Sequence, residues 1–294
     1  MAEIKKAIIP MAGLGTRFLP LSKAVPKEFW PLAGEPIIHY LLKEAIDSGI
    51  EQIIFVLSPD NKKIMEYVKP SAKIEKILKE RKKEKILEEF KKFEESFKKI
   101  SFKYVLQRKP LGDGHAILQA AKLLKKDEPV AVFFADDMAV ASKPCLLQLM
   151  ATFKTCQKPV FALVKMPKEK LHAYGVPSVE KIANRFFKIK SIVEKPDHGK
   201  EPSDFAIMGR YILTPEVFQY LKKAKPSEKG EIILAEVYNR MLKEGKLIYG
   251  YEFEGKWVEC GNKLDWMKAN MYMCLNDPKN GQEIKKFLKD SKMV

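Results

Sequence analysis

Cysteine and histidine are scarce in this sequence, with four of each among 294 residues. The cysteines show no C-x-x-C spacing and the histidines are scattered, so the chain carries no pattern of a structural zinc site. A sequence without a paired cysteine framework is typical of a reducing compartment, and we expect a cytoplasmic protein. The residues concerned are Cys145, Cys156, Cys260, Cys274, His39, His115, His172 and His198.

Long apolar segments are also missing from the chain. No run approaches the roughly 20 apolar residues that a helix needs to span a bilayer. Residues 1–6, MAEIKK, lead into a short apolar run and not into the extended apolar core of a signal peptide. The sequence therefore predicts a soluble protein with no membrane partner.

Positive charge, in contrast, is abundant. Lysine and arginine number 54 against 38 aspartate and glutamate, which gives a formal net charge of +16. Such a charge attracts anions, which could be nucleic acid, a membrane surface or phosphorylated small molecules. The length allows one large α/β domain, or one domain with a substantial insertion.

Most of the chemical information lies in residues 7–36, AIIPMAGLGTRFLPLSKAVPKEFWPLAGEP. The first apolar run predicts a buried strand that stops at Pro10. Gly13 and Gly15 follow, where backbone N–H groups can approach a phosphate closely. Phe18 stands where the dinucleotide fingerprint has its third glycine, and no Walker lysine follows, so both of these phosphate loops are excluded.

Three cations follow the glycines at short spacing, namely Arg17, Lys23 and Lys27. Prolines are interleaved with them, and we expect these prolines to keep the loop extended. Several cations beside free N–H groups would match a polyphosphate. A glycine-rich turn with ordinary surface lysines is the alternative that a lone Gly-x-Gly leaves open. The prolines are Pro20, Pro26 and Pro31.

Strand and helix patterns alternate after this loop. Residues 37–48 predict a helix that ends before Gly49, and residues 53–57 predict a buried strand. Strand, loop, helix and strand make a βαβ unit, and the pattern recurs along the chain. The sequence therefore predicts an α/β fold with a Rossmann-like mixed, mainly parallel central sheet flanked by helices, and ligands outside the carboxyl ends of the strands.

A strongly charged segment interrupts this alternation. Residues 73–99 interleave lysine and glutamate with apolar residues at three- and four-residue steps, which predicts one or two amphipathic helices. We expect a single domain, 1–294, with a helical insertion at about 66–100 and a C-terminal helical region at about 264–294. A nucleic-acid-binding face is the alternative to a solvated face for the lysines of the insertion.

A second glycine loop lies between a predicted strand at 102–107 and a helix predicted from Ile117 to about Lys125. It contains Gly112, Asp113 and Gly114, and a helix N-terminus preceded by glycines suits an anionic or nucleotide group. Gln107, at the end of the strand, can both donate and accept, which is what reading the edge of a uracil base requires. Pairing with backbone at the strand end is its alternative role.

Asp136 and Asp137 directly follow the clearest buried strand of the chain, predicted at 130–135. Two adjacent carboxylates at such a place are costly unless a positive charge compensates them. Magnesium is the natural candidate, because one or two carboxylates and substrate phosphate oxygens make its usual shell. Capping of a helix N-terminus is the alternative for one of the two.

These motifs together resemble the sugar-phosphate nucleotidyltransferases. Residues 13–20, GLGTRFLP, and 23–28, KAVPKE, resemble the family's nucleotide loop, and the PKE portion resembles its branch of bacterial UTP:glucose-1-phosphate uridylyltransferases. Residues 174–175, YG, and 194–196, EKP, resemble the family's sugar-phosphate site. The motifs keep the family's order over nearly the whole chain.

The resemblance implies a fold similar to that of glycosyltransferase A and a specific reaction. Uridylyl would pass from UTP to glucose 1-phosphate, giving UDP-glucose and pyrophosphate with Mg²⁺ as the cofactor. It also implies a homodimer or homotetramer, no nucleic-acid partner and a role in cell-envelope polysaccharide biosynthesis. The implied catalytic residues are Arg17, Lys27 and Lys195; the nucleotide-binding residues are Ala12, Gly13, Leu14, Gly15, Glu28, Gln107, Gly112 and Asp137; the sugar-binding residues are Gly175, Glu194 and Lys195; and the metal ligands are Asp136 and Glu259.

Two positions depart from the family pattern. Asp113 stands where members have an apolar residue, and Glu259 stands where the family usually has an aspartate that serves as the second magnesium ligand. Two rival functions stay open, of which the second is supported by the Glu259 departure and the net charge of +16. One is thymidylyl or another nucleotidyl transfer to a related sugar phosphate, and the other is a non-catalytic protein that binds UDP-sugar.

Overall fold

The computed structural model describes residues 3–293. Residues 1, 2 and 294, which belong to the predicted single domain, lie outside the described residues, as does the start of the segment considered as a signal peptide. The strands of the described chain are β1 (Lys6–Met11), β2 (Pro31–Leu32), β3 (Glu35–Pro36), β4 (Gln52–Leu57), β5 (Ser101–Leu106), β6 (Val130–Phe133), β7 (Asp137–Val140), β8 (Val160–Lys165), β9 (Gly175–Ala183), β10 (Phe186–Glu194), β11 (Phe205–Leu213), β12 (Tyr249–Glu252) and β13 (Lys256–Glu259).

Within residues 3–293, nine of these strands form a central sheet in the spatial order β5-β4-β1-β6-β11-β8-β12-β10-β9. β11 is antiparallel to both β6 and β8, and β10 is antiparallel to both β12 and β9. The other neighbouring pairs are parallel, so seven of the nine strands run in one direction. The predicted mixed, mainly parallel sheet is confirmed.

Helices cover both faces of this sheet, because alternate side chains of each buried strand point to opposite sides. Ala7 and Ile9 of β1 face one apolar cluster, and Ile8 faces the other. The helices within residues 3–293 are α1 (Ile37–Asp47), α2 (Lys63–Tyr67), α3 (Ala72–Glu80), α4 (Glu84–Phe97), α5 (Asp113–Ala120), α6 (Cys145–Cys156), α7 (Lys168–Leu171), α8 (Pro215–Lys223), α9 (Leu234–Lys243), α10 (Lys263–Leu275) and α11 (Gly281–Asp290). In this part of the chain, no helix is both long and apolar enough to cross a membrane.

The segment between β1 and α1 differs from its prediction. β1 does not stop at Pro10 but pairs with β4 as far as Met11, while its pairing with β6 covers Ala7 and Ile8. Pro10 therefore lies beyond the part of β1 that pairs with β6. Proline has no N–H group to donate, and at this position that lack leaves no group of β6 without a partner.

The loop that follows is not extended either. It winds into 3₁₀ helices at Thr16–Phe18, Leu21–Lys23 and Lys27–Phe29. Pro20 and Pro26 directly precede the second and third of these turns, since the fixed φ of proline suits the entry to a helical turn.

Two further boundaries were wrong. The helix expected from Ile117 begins at Asp113, because the backbone turns at Gly112, whose φ of 94° lies in a region open to glycine. It ends at Ala120 and continues as a 3₁₀ turn to Leu123. β6 ends at Phe133, so Asp136 lies in a short loop and Asp137 starts β7.

Helices α2, α3 and α4 lie between β4 and the edge strand β5. One or two amphipathic helices were expected over residues 73–99, where α3 and α4 lie, and the short α2 precedes them. α3 and α4 are amphipathic, and Phe93 and Phe97 of α4 pack with Phe102 of β5 against the main core. The helix predicted to end before Gly49 is confirmed as α1, and Gly49 has the positive φ of a helix C-terminus.

Candidate active site

A cavity of about 470 Å³ opens beside the carboxyl end of β6. Residues far apart in sequence line it. Arg17 comes from the loop after β1, Asp136 from the loop after β6, Glu194 from the end of β10 and Glu259 from the end of β13. The topology therefore brings the basic loop, the acidic pair and the predicted sugar motif to one place.

Lys27 and Asp136 form an ion pair at the edge of this cavity. Lys27 Nζ donates to Asp136 Oδ2 at 2.6 Å, and both side chains are mostly covered. Burial disfavours ionisation of Asp136, but the charge of Lys27 and this hydrogen bond outweigh burial and lower the pKa of Asp136. The carboxylate is thus kept ionised, as a metal ligand or phosphate-positioning group must be.

Asp137 accepts hydrogen bonds from two other groups. Trp257 Nε1 donates to its Oδ1 at 2.8 Å, and the Gly209 backbone N–H donates to its Oδ2 at 3.1 Å. Burial raises the pKa of Asp137 to about 7, and the neighbouring charge of Asp136 adds to the effect. Two adjacent carboxylates thus occupy electrostatically different positions.

Glu259 reaches the acidic pair through a small second sheet. β13 pairs antiparallel with β7, and Glu259 lies directly opposite Asp137 in that ladder. The Tyr174 hydroxyl donates to Glu259 Oε2. Burial raises the pKa of Glu259, and the charges of Asp265 and Asp136 raise it further. A cation between Glu259 and Asp136 would relieve that repulsion.

Both predicted metal ligands lie near Gly261, together with the guanidinium of Arg17. A Cβ atom on Gly261 would lie 3.4 Å from Glu259 Oε1, 3.4 Å from Arg17 Nη1 and 4.0 Å from Asp136 Oδ2. Within residues 3–293, no three histidine, cysteine or acidic side chains converge as a complete protein cage. Two carboxylates and an open cavity fit Mg²⁺, which keeps its remaining positions for water and phosphate oxygens.

The predicted sugar residues meet at the ends of β9 and β10. A Cβ atom on Gly175 would lie 3.1 Å from Glu194 Oε2, so glycine leaves that oxygen accessible. Lys195 Nζ lies 3.3 Å from Glu194 Oε1. The Lys195 backbone has a left-handed φ of 50°, and its N–H donates to the Tyr174 carbonyl at 3.0 Å, which directs the side chain.

The first glycine loop leaves its backbone open. A Cβ atom on Gly13 would meet nothing within 4 Å, and Gly15 has a φ of 61°. Leu14 is exposed, whereas Ala12 is buried. Glu28 is 2 % exposed and its Oε1 has no hydrogen-bond partner among residues 3–293.

The second glycine loop is occupied by internal contacts. Gln107 Nε2 donates to the Gly112 carbonyl at 3.1 Å and is hydrogen-bonded to His115. A Cβ atom on Gly112 would lie 2.6 Å from the Ile232 carbonyl oxygen. Glycine is therefore required here by packing, whatever the loop binds.

The cavity is lined by one part of the predicted site, and the other part lies outside its wall. Seven predicted residues line the cavity, and eight lie outside its wall, although Lys27 contacts Asp136 directly. Those in the wall are Arg17, Asp136, Asp137, Gly175, Glu194, Lys195 and Glu259; those outside it are Ala12, Gly13, Leu14, Gly15, Lys27, Glu28, Gln107 and Gly112.

Sequence reasoning gave no role to several cavity residues. Asp265 and Lys268 lie in the first turns of α10. The sequence did contain a signal for Asp265, because Asn262 is a helix N-cap residue whose side chain accepts a hydrogen bond from the Asp265 N–H. Asp113 and Tyr238 also line the cavity. No local pattern indicates that these last two residues meet.

A mainly parallel sheet with an open glycine loop and an acidic pair at one edge defines an α/β protein that binds phosphorylated ligands. The comparisons with known proteins are more specific. The model of the nucleotidyl transferase family matches residues 6–275, and the chain belongs to this family.

Relatives and solved structures agree with that assignment over nearly the whole chain. The UTP–glucose-1-phosphate uridylyltransferase of Staphylococcus haemolyticus (strain JCSC1435) is 39% identical over 290 residues, which is 99% of each chain. UTP-bound UGPase from Acinetobacter baumannii has a TM-score of 0.88 at 32% identity, covering 97% of this chain and 99% of that one. A UDP-glucose pyrophosphorylase complexed with UDP-glucose has a TM-score of 0.81 at 33% identity, covering 91% and 97%.

Proposed function

We propose that this protein transfers uridylyl from UTP to glucose 1-phosphate, giving UDP-glucose and pyrophosphate. The observation that carries the proposal is the single cavity that joins Arg17, Asp136 and Lys195, because it offers cations for two phosphorylated substrates around one acidic centre. The choice of uridine and glucose is supported by the named relatives at 36–39% identity.

In this proposal the basic loop binds UTP. The open backbone of residues 12–15 faces the phosphates, and Arg17 and Lys27 neutralise the charge that grows on pyrophosphate as it leaves. Glu28, Gln107 and Gly112 lie on the uridine side, and Asp137 supports the nucleotide end of the acidic pair.

Asp136 and Glu259, whose carboxylates both lie near Gly261, would hold Mg²⁺. When bound, the ion would neutralise charge on phosphate oxygens. Tyr174 orients Glu259 by donating to it, so the longer side chain is held in one position.

Gly175, Glu194 and Lys195 would bind glucose 1-phosphate. Glu194 accepts sugar hydroxyls, and Lys195 places the sugar phosphate for in-line attack. A phosphate oxygen forms a bond to the α-phosphorus of UTP, and the bond from that phosphorus to the bridging oxygen breaks, so pyrophosphate leaves. No covalent enzyme intermediate is needed.

We also propose that the whole chain is one nucleotidyltransferase domain. The match at residues 6–275 runs through the helical insertion at about 66–100 and into the helical region that starts at about 264, which supports this reading.

Pyrophosphate release with Mg²⁺ tests the function, with UTP, dTTP, CTP, ATP and GTP each paired with glucose 1-phosphate. We expect release mainly with UTP, and its loss in Asp136→Ala and Lys195→Ala. Lys200→Ala is the matched control, because Lys200 is also an exposed lysine paired with a nearby carboxylate, Asp197. Release mainly with dTTP would replace uridylyl by thymidylyl transfer. No release with any pair would refute catalysis and favour a binding protein.

A further inference from the structure

Asp113 places a carboxylate in the wall of the substrate cavity. It is the first residue of α5, and its Oδ1 accepts hydrogen bonds from the Gly114 N–H at 2.7 Å and the Leu234 N–H at 3.0 Å. The side chain therefore ties the start of α5 to the start of α9. Within residues 3–293, both of these hydrogen bonds use the same oxygen, so the cap leaves Oδ2 for another partner.

Tyr238 lies one turn after Leu234 on α9 and faces the same cavity. Its side chain is 1% exposed, and its hydroxyl has no hydrogen-bond partner among residues 3–293. An unpaired buried hydroxyl destabilises the folded state, because it has lost its hydrogen bonds to water without replacement. A polar group that is buried and unpaired at a substrate cavity indicates that a ligand completes its hydrogen bonding.

The two groups line the same cavity. Burial, and after it the charge of Asp113, raises the pKa of the Tyr238 hydroxyl. Burial also raises the pKa of Asp113, against the two backbone hydrogen bonds, and the charge of Glu194 adds to the rise. Asp113, Tyr238 and the predicted sugar carboxylate Glu194 all line this one cavity. Asp113 and Tyr238 do not hydrogen-bond to each other.

A purely structural role explains only half of this arrangement. Capping α9 needs one acceptor oxygen, which serine or asparagine supplies without burying a charge. Capping gives no reason for an ionisable side chain at position 113, and it leaves the Tyr238 hydroxyl without a partner. Both residues belong to the cavity wall that also contains Gly175 and Glu194.

We propose that Asp113 and Tyr238 form a second sugar-reading pair, which binds one ring hydroxyl of the sugar phosphate. That hydroxyl donates to Asp113 Oδ2 and accepts from the Tyr238 hydroxyl, while Glu194 binds hydroxyls from its own side of the cavity. The pair determines sugar specificity and takes no part in bond making. This inference rests on the proposed function.

The test compares ligands with and without the sugar. Calorimetry measures the affinities of UDP-glucose and UDP for wild type, Tyr238→Phe and Asp113→Asn; the asparagine keeps an acceptor for the helix cap. We expect each variant to bind UDP-glucose about tenfold or more weakly and UDP unchanged. Tyr220→Phe is the matched control, since that hydroxyl lies on α8 and contacts Glu244.

Monodeoxy analogues of glucose 1-phosphate then identify the ring hydroxyl that the pair binds. In pyrophosphate release, wild type should lose about tenfold or more in kcat/KM on one monodeoxy glucose 1-phosphate, and this loss should disappear in Tyr238→Phe. Equal weakening of UDP and UDP-glucose, or equal losses on every analogue in both proteins, would overturn the pair. If wild type releases no pyrophosphate, the proposed function fails, while the calorimetric comparison still decides the pair.

Discussion

Gly209 shows how a single missing side chain shapes the acidic centre. Its N–H donates to Asp137 Oδ2, and a Cβ atom there would overlap that oxygen and lie 2.6 Å from Phe134 Cβ. Gly13, by contrast, has free space around it. One glycine is required by packing, and the other leaves backbone open to a ligand.

Alanine substitutions separate these two roles. We expect Gly209→Ala to lower the free energy of unfolding by about 1–3 kcal/mol, because Asp137 and Phe134 must move. Gly13→Ala should keep the wild-type Tm while raising KM for UTP. Thermal unfolding and steady-state kinetics measure the two effects. A fully stable Gly209→Ala protein with wild-type kinetics would show that Asp137 tolerates displacement.

At the scale of elements, a buried ion pair joins a helix to the sheet beneath the acidic centre. Arg210 of β11 donates to Glu44 of α1 through Nε and Nη2, with the shortest contact at 2.9 Å. The Leu146 N–H of α6 donates to the same carboxylate at 3.0 Å. Arg210 is 0% exposed, so the charge has no access to water.

Removing the acid should therefore be costly. We expect Glu44→Ala to lower the free energy of unfolding by about 3–5 kcal/mol, because it leaves a buried guanidinium uncompensated. Denaturant titration measures this change. Glu88→Ala is the control, since Glu88 pairs with Lys92 on the exposed face of α4 and its removal should change stability far less. Similar costs for the two variants would contradict a buried charge.

For the whole molecule, stability depends on pH through buried acids whose pKa is raised. Burial raises the pKa of Glu28 from 4.5 to about 7, although the charge of Lys27 opposes the rise. The folded state then binds a proton more tightly than the unfolded state. The stability that this proton gives is fully present below pH 4.5 and is lost as pH rises towards 7.

Glu28→Gln should remove this dependence. We expect the stability of the variant relative to wild type to increase between pH 4.5 and 7, by an amount on the order of 3 kcal/mol. Denaturant titrations of both proteins across that range measure the difference. A difference that stays constant with pH would show that Glu28 keeps an ordinary pKa in the folded protein.

Local patterns were enough to predict several elements and motif positions. The apolar runs of β4 and β6, the helical spacing of α1 with Gly49 after it, and the carboxylates after β6 follow from hydrophobic period and turn residues. They failed in the loop after β1, where prolines start 3₁₀ turns, and at Gly112, where the helix begins early.

By itself, the sequence determined the α/β class and the positions of several strands and helices, because these depend on local hydrophobic spacing. Its motifs indicated the family through their resemblance to it. Only the tertiary structure decided that β10 and β11 run against the other strands, that β13 sets Glu259 opposite Asp137, and that Tyr238 reaches the cavity of Asp113. The last two of these arrangements join residues more than 100 positions apart. Strand pairing and burial in the folded chain fix these arrangements, and neither leaves a periodic pattern in the sequence around the residues that meet.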